Sequence, residues 1–179
     1  MKKYKIIYAD PPFKYNQSML SGSKPENHYD TMKFDDIANL KIQDVCDDDC
    51  GLFIWSSSSY IDGVIKIIKA WGFQYKIVAF VWVKKNKDFK TSKVPGFWTM
   101  SQTEFVLFAT KGKMLQYIKK RNICQIVESI RENHSKKPDI IRKKIEEMFP
   151  NVNKIELFAR KKNNGWDVFG NEIKSDIKL

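Results

Sequence analysis

The stretch Tyr8-Ala9-Asp10-Pro11-Pro12-Phe13 holds residue types whose spacing could do chemistry. The run leading into it, Lys5-Ile6-Ile7-Tyr8, reads as a buried strand that is cut off by an acid, two prolines and a ring. Proline lacks an N–H and pushes the preceding residue out of the helical region, so Asp10 and Pro11 are expected to stay extended just past a sheet edge. One rigid turn then presents a carboxylate, two free carbonyls and a flat ring. That set suits an amine conjugated to a ring, such as the exocyclic amine of a nucleobase. Its lone pair is delocalised and its two N–H bonds lie in the ring plane, so it is a poor nucleophile. Asp10 and the carbonyl of Pro11 or Pro12 would accept those hydrogens and help the nitrogen become tetrahedral, with its lone pair aimed at an electrophilic methyl group. Phe13 would stack on the base. The same six residues also read as a strand followed by a proline turn with a solvated aspartate, and alone they do not choose between the two.

A second constellation lies near the end of the chain. Ser135-Lys136-Lys137-Pro138 places two cations at the start of a helix, where free backbone N–H groups already favour a carboxylate ligand. Glu156-Leu157-Phe158-Ala159-Arg160 reads as a strand running to the sheet edge, followed by Lys162-Asn163 and later by Gly170-Asn171-Glu172. Acids and amides of this kind bind ribose hydroxyls and purine edges. Residues 84–103 read as a loop in which Lys84, Lys85, Lys87, Lys90 and Lys93 alternate with Phe89, Phe97 and Trp98. Basic groups interleaved with aromatics suit a nucleic-acid strand; a mobile lysine loop with aromatics folded onto the core is the alternative.

The elements that must position these groups alternate between strand and helix. Apolar runs at 51–55, 76–83, 103–109, 123–127 and 153–159, with a further short one at 165–170, join 5–8 as expected strands. Ile61, Val64, Ile65, Ile68 and Trp71 recur at helical spacing and Gly72 sits where that helix should stop. A short helix is expected at 35–40, and another opens at Pro138 as its first residue and closes at Pro150. This order predicts an α/β fold, a mostly parallel central sheet with helices on both faces, whose ligands bind at the carboxyl ends of the strands. Residues 14–33 are polar and aperiodic and read as a long loop leaving directly from the Asp-Pro-Pro turn.

The chain has 179 residues, the length of one domain, 1–179, with a proper core. No apolar run approaches a membrane span, and Met1-Lys2-Lys3 is followed by too short an apolar segment for a signal peptide, so a soluble, cytoplasmic protein with no membrane partner is expected. A formal net charge of +11 points to a polyanionic partner, against the alternative of a generally lysine-rich surface. Cys46, Cys50 and Cys124 read as reduced thiols and not as a metal site, because a zinc ion would need further ligands at plausible spacing.

In this order the motifs resemble the MT-A70-type adenine N6-methyltransferases, the family of the catalytic subunit of the messenger-RNA adenine methyltransferase and its DNA-modifying relatives. The Asp-Pro-Pro turn is joined by His28-Tyr29-Asp30-Thr31-Met32, Gly51-Leu52-Phe53-Ile54-Trp55, Trp71-Gly72-Phe73, Val81-Trp82-Val83-Lys84, Ser135-Lys136-Lys137-Pro138-Asp139, Lys154 to Arg160, and Gly165-Trp166 with Gly170-Asn171-Glu172. The resemblance implies a Rossmann-like methyltransferase sheet, S-adenosylmethionine as donor and no metal. It places the target amine against Asp10, Pro11 and Pro12 with Phe13 stacking. Lys137 would pair with the donor's carboxylate, with Asp10 near the donor's methionine end. Glu156, Phe158, Arg160, Lys162, Asn163, Asn171 and Glu172 would line its ribose and adenine pocket. The loops at about 14–33 and 84–103 correspond to the family's active-site loops, making Tyr29 a gate residue and Lys84, Lys85 and Trp98 substrate contacts. Phe13 stands where Trp is commonest, and Glu172 where an amide is usual. The bare catalytic unit favours DNA, as in bacterial or phage enzymes, over RNA; a catalytically inactive binding subunit would show a broken turn, and this one is intact. A homo- or heterodimer is left open.

Overall fold

In the computed structural model, residues 2–14, 31–96, 98–132 and 136–179 are described. Strands β1 (Tyr4–Ala9), β2 (Cys46–Ser56), β3 (Gln74–Lys85), β4 (Thr103–Lys111), β5 (Ile126–Ile130), β6 (Lys154–Leu157) and β7 (Asp167–Phe169) form one sheet in the order β5-β3-β4-β2-β1-β6-β7. β1 pairs in parallel with β2 and β6, and β3–β5 and β6–β7 are also parallel. β4 runs antiparallel to both its neighbours, β2 and β3. The carboxyl ends of six strands and the amino end of β4 therefore share one edge. The architecture is the expected α/β, Rossmann-like methyltransferase arrangement.

Strand periodicity divides the core between the two faces of the sheet. Ile7, Ala9, Leu52, Ile54, Leu107, Ala109, Ile155 and Leu157 pack on one face with α1 (Phe34–Ala38) and α2 (Ile61–Ala70). Ile6, Tyr8, Phe53, Trp55 and Val106 pack on the other with Ile141, Ile145 and Phe149 of α3 (Asp139–Met148) and the residue after it. On the first face α2 buries Val64, Ile67 and Ile68, and the Trp71 indole N–H donates to the Ile37 carbonyl at 2.9 Å, tying α2 to α1. The helix stops where glycine allows it: Gly72 has φ +77°, and Phe73 N–H returns to the Ile68 carbonyl. Along the outer edge, Asp176 N–H donates to the Val168 carbonyl and its carboxylate accepts the Val168 N–H, so the tail covers the otherwise free edge of β7.

Several boundaries differ from expectation: β2 starts at Cys46 and not 51, β3 spans Gln74–Lys85 and so takes in the first two residues of the expected 84–103 loop, α1 covers Phe34–Ala38, and three further differences have an evident cause. β5 occupies Ile126–Ile130 and not 123–127, because its position is set by pairing with β3, from Val81 opposite Ile126 to Lys85 opposite Ile130. As an edge strand it buries only Val127 fully, leaving Ile126 and Ile130 exposed, so an apolar run is a poor guide to its limits. Pro138 is the N-cap of α3 and not its first residue, with an extended backbone at φ −70°, ψ 128°. β6 ends at Leu157, since Phe158 adopts φ +60°, a left-handed conformation that turns the chain off the sheet.

Among the described residues no helix is long and apolar enough to cross a membrane. The second face is held by a nest of rings: Phe53 lies 4.6 Å from Phe108 and 6.2 Å from both Phe80 and Phe149, centroid to centroid. Phe53→Ala removes the fully buried centre of that nest and is expected to cost about 3–5 kcal/mol in urea unfolding.

Candidate active site

Asp10 is the first residue beyond β1, and its N–H extends the β1–β6 ladder by reaching the Leu157 carbonyl at 3.5 Å. The two prolines then turn the chain. Phe13 N–H donates to the Pro11 carbonyl at 3.0 Å, and Met32 N–H donates to the Pro12 carbonyl at 2.8 Å. The sequence suggests two free carbonyls; the fold gives each one a backbone donor, leaving one lone pair apiece. The Phe13 ring is 8% exposed and stacks on Phe34 at 4.7 Å and 14°, with Tyr60 at 6.2 Å. It is therefore a core residue that braces the turn, with one ring face taken by Phe34. The burial follows from chain direction, since Pro12 turns back beside Met32 and carries the next side chain under α1.

The Asp10 carboxylate meets a cation delivered from the opposite half of the chain. Lys137, just before α3, sets its ammonium 2.9 Å from Asp10 Oδ1 and 3.4 Å from Glu104 Oε2, over the Trp55 ring at 5.3 Å from its centroid. Glu104, the second residue of β4, accepts from Lys84 at 2.6 Å through its other oxygen. Asp10, Lys137, Glu104 and Lys84 thus form a chain of alternating charge across the carboxyl edge. Burial drives the Asp10 carboxyl above its ordinary range; Lys137 opposes this and Glu104 reinforces it. Burial also works against ionisation of Glu104, but Lys137 and Lys84 together outweigh it and hold that carboxyl below its ordinary range. The difference follows from placement: Glu104 has the ammonium groups of both Lys84 and Lys137 against it, whereas Asp10 shares Lys137 and gains only a weaker charge effect from Arg160.

The second group of residues gathers at the ends of β6 and β7 and in the segments that follow them. Glu156 Oε2 accepts from Asn163 Nδ2 at 3.2 Å, and burial pushes its carboxyl up to about 6. Arg142 of α3, bonded to Glu146 at 2.7 Å, is a cation that counters part of that rise. Gly170 lets the segments after β6 and β7 lie back to back: a Cβ there would stand 2.3 Å from the Ala159 carbonyl oxygen, while Ala159 N–H bonds the Phe169 carbonyl. That contact brings Arg160 Nε to 3.2 Å from Glu172 Oε1, with Asn171 exposed beside them. Phe158 packs, half-buried, against the core, and Lys162 turns away to Asp176 at 2.6 Å.

The expected substrate contacts fare differently. Lys84 and Lys85 belong to β3 and carry side chains only 13% and 12% exposed; Lys85 bridges Glu128 at 2.8 Å and donates to Thr91 at 3.3 Å. They are struts of the sheet edge. Trp98 is 98% exposed. Tyr29 lies outside the described residues. Cys46 and Cys50 are buried free thiols, and among the described residues no group of three or more His, Cys, Asp or Glu could hold a metal ion. Glu104 and Arg142 lie in none of the motifs, and Trp55, though in the Gly51–Trp55 motif, carries no sign there that it lies beneath the Lys137 ammonium. Glu104 had a signal, since it falls two positions before Val106, on the strand face that buries apolar side chains.

A model of the MT-A70 family matches residues 4–172. The chain is 40% identical over 189 residues to the Type II methyltransferase M.MunI of Mycoplasma sp., covering 96% of this chain and 78% of that protein. It is 28% identical over 176 residues to the N(6)-adenosine-methyltransferase catalytic subunit METTL3 of Homo sapiens, covering 96% of this chain and 28% of that one. For the probable N(6)-adenosine-methyltransferase MT-A70-like of Oryza sativa the identity is 29% over 178 residues, covering 96% and 23%. The chain thus spans less than a third of the latter two relatives.

The charge chain makes a signed prediction. Glu104→Gln removes a negative neighbour and lowers the Asp10 pKa, whereas Lys137→Met removes the compensating cation and raises it. Carbon-detected carboxyl titrations of the two variants read both directions.

Proposed function

The chain belongs to the MT-A70 family, and on that premise we propose that residues 1–179 form one catalytic domain that methylates the N6 amine of adenine in DNA with S-adenosylmethionine as donor. The observation that carries the reading is the Asp10 carboxylate, held by Lys137 at 2.9 Å on the edge where ligands of such sheets bind. The 40% identity to a type II methyltransferase favours DNA; the 28% identity to an adenosine methyltransferase subunit keeps RNA as the second reading. A cytoplasmic location suits both.

The residues present fit the donor. Glu156, paired with the Asn163 amide and raised by burial, is an acceptor suited to hydroxyl hydrogens of a ribose, and Arg160, Asn171 and Glu172 supply further donors and acceptors on the segments that follow β6 and β7. The Lys137 ammonium serves two carboxylates, so a donor carboxylate would join or displace them. When bound, the donor supplies an electrophilic methyl on a sulfonium. Asp10 accepts one N–H of the target amine, and the remaining lone pair of the Pro11 or Pro12 carbonyl accepts the other. Methyl transfer from a bound sulfonium would leave the sulfur–carbon electron pair on sulfur, and the proton shed by the newly alkylated nitrogen would pass to the Asp10 carboxylate that already accepts its N–H. Asp10 is an acceptor and positioning group and not a strong base, because the amine becomes acidic only as the methyl arrives. Catalysis is mainly orientation and charge placement.

Incubation with labelled donor and matched DNA and RNA pools, followed by nucleoside digestion, tests the reading. N6-methyladenine in DNA is expected; its absence from both pools overturns it, and its appearance in RNA alone selects the second reading. Asp10→Ala is expected to abolish turnover while donor binding stays measurable by calorimetry. Donor affinity should be pH-dependent through Glu156. Hydroxyl donors favour the ionised carboxylate, so binding is level above about pH 6 and weakens below it, by up to about tenfold per unit. Glu156→Gln should flatten that profile.

A further inference from the structure

We propose that Trp98 is a wedge that enters the base stack of duplex DNA where the target adenine leaves it. The inference rests on the adenine-methylation reading and extends it to how the base is reached, since an enzyme acting on a base in a duplex must take that base out of the stack.

Phe97 lies outside the described residues, and the described parts of the connection between β3 and β4 are held by backbone hydrogen bonds. Asn86 N–H bonds the Lys90 carbonyl and Phe89 N–H the Asn86 carbonyl, closing a tight turn in which Phe89 has φ +59°. Ser92 N–H then returns to the Lys84 carbonyl at 2.7 Å, and Ser92 is 5% exposed. A bridge between Val94 and Ser101 follows, with Ser101 N–H bonding the Val94 carbonyl at 2.7 Å. Beyond that bridge Gly96 passes so near the Thr99 carbonyl that a Cβ would stand 2.5 Å from it. This turn carries an indole that nothing covers, at 98% exposure, with Met100 at 54% beside it.

Position and chemistry identify the occupant. β4 is antiparallel, so the connection emerges at the same edge as Asp10, and Glu104, already in the charge chain with Lys137, lies six residues from Trp98, at most about 20 Å along an extended chain. Lys87, Lys90 and Lys93 are exposed on the connection and suit phosphates flanking an opened step. Trp98 offers roughly 150–250 Å² and the half-exposed Phe89 and Met100 on the same connection each add less, which together falls short of the about 800 Å² per partner that a stable protein interface needs. A second copy of a chain carrying +11 would also set cation against cation. Apolar wedges that part base steps are a known solution to deforming duplex DNA.

The test begins with the target sequence, mapped on a random duplex pool with the wild-type protein. Trp98→Ala and Trp98→Phe are then compared on a paired duplex and on the same duplex with an abasic site opposite the target adenine. Trp98→Ala is expected to lose at least about tenfold in kcat/KM on the paired duplex and to recover most of it on the abasic one, with Trp98→Phe between. With 2-aminopurine at the target, the fluorescence rise on binding is expected to shrink in Trp98→Ala. Equal losses on both duplexes, an unchanged fluorescence rise, or a lower sedimentation mass for the variant overturn the wedge, the last assigning Trp98 to self-association. Failure of the wild-type protein to methylate any duplex refutes the reading of duplex DNA as substrate, and the wedge with it, and is read before the variants are made.

Discussion

One ammonium group holds the candidate site together. Lys137 stands between the carboxylates of Asp10 and Glu104, which come from the end of β1 and the start of β4. Without a cation between them, two acids half-withdrawn from water would repel and at least one would take up a proton. With it, three remote parts of the chain meet at fixed distances, and the Trp55 ring beneath the ammonium adds a face that favours positive charge. Trp55 is itself fixed from below, its indole N–H donating to the Tyr8 hydroxyl at 2.6 Å within the second core. The site is therefore anchored directly on the packed sheet.

Charge neutrality within this chain bears on chemistry. Two acids and two bases balance one another within this chain, so they offer phosphate no net charge, and exposed cations that could do so at this edge lie on the connection, Lys87, Lys90 and Lys93. Much of the basic composition expected to meet phosphate is internal bracing: Lys84 supports Glu104, Lys85 supports Glu128, and Lys162 holds the tail through Asp176. A similar reversal applies to the rings. Phe13 was the natural stacking candidate by its place in the motif, yet it stacks inward on Phe34 and stiffens the turn that carries Asp10. Stiffness there serves the same end, because orientation contributes to catalysis only if the acceptor cannot wander.

The second group of residues depends on a backbone device. Phe158 leaves the sheet with φ +60°, and Gly170 permits the strand-end segments to touch, so Arg160 and Glu172 converge from positions twelve residues apart. Glu156 stays inside this fold, desolvated enough to titrate near 6, which makes it sensitive to a ligand that brings hydrogen-bond donors.

The sequence by itself determined the local features: strand against helix, the proline turn after β1, the glycine stop at Gly72, and the family motifs with Asp10, Lys137 and Glu156 among them. These follow from side-chain period and backbone restriction, which act over a few residues. It also indicated the α/β class, because alternating strands and helices leave few ways to build a sheet. Only the tertiary structure decided which groups meet. Glu104 joins Asp10 because β4 runs antiparallel and begins where β1 ends, a fact of strand order that no local pattern encodes. Phe13 is buried and Trp98 exposed, although both are aromatic residues in polar connections, because burial depends on what folds back against them. Partner choice for Lys84 and Lys85 was hidden for the same reason: an ion pair is a statement about two positions far apart in the chain, and spacing in sequence does not measure distance in space.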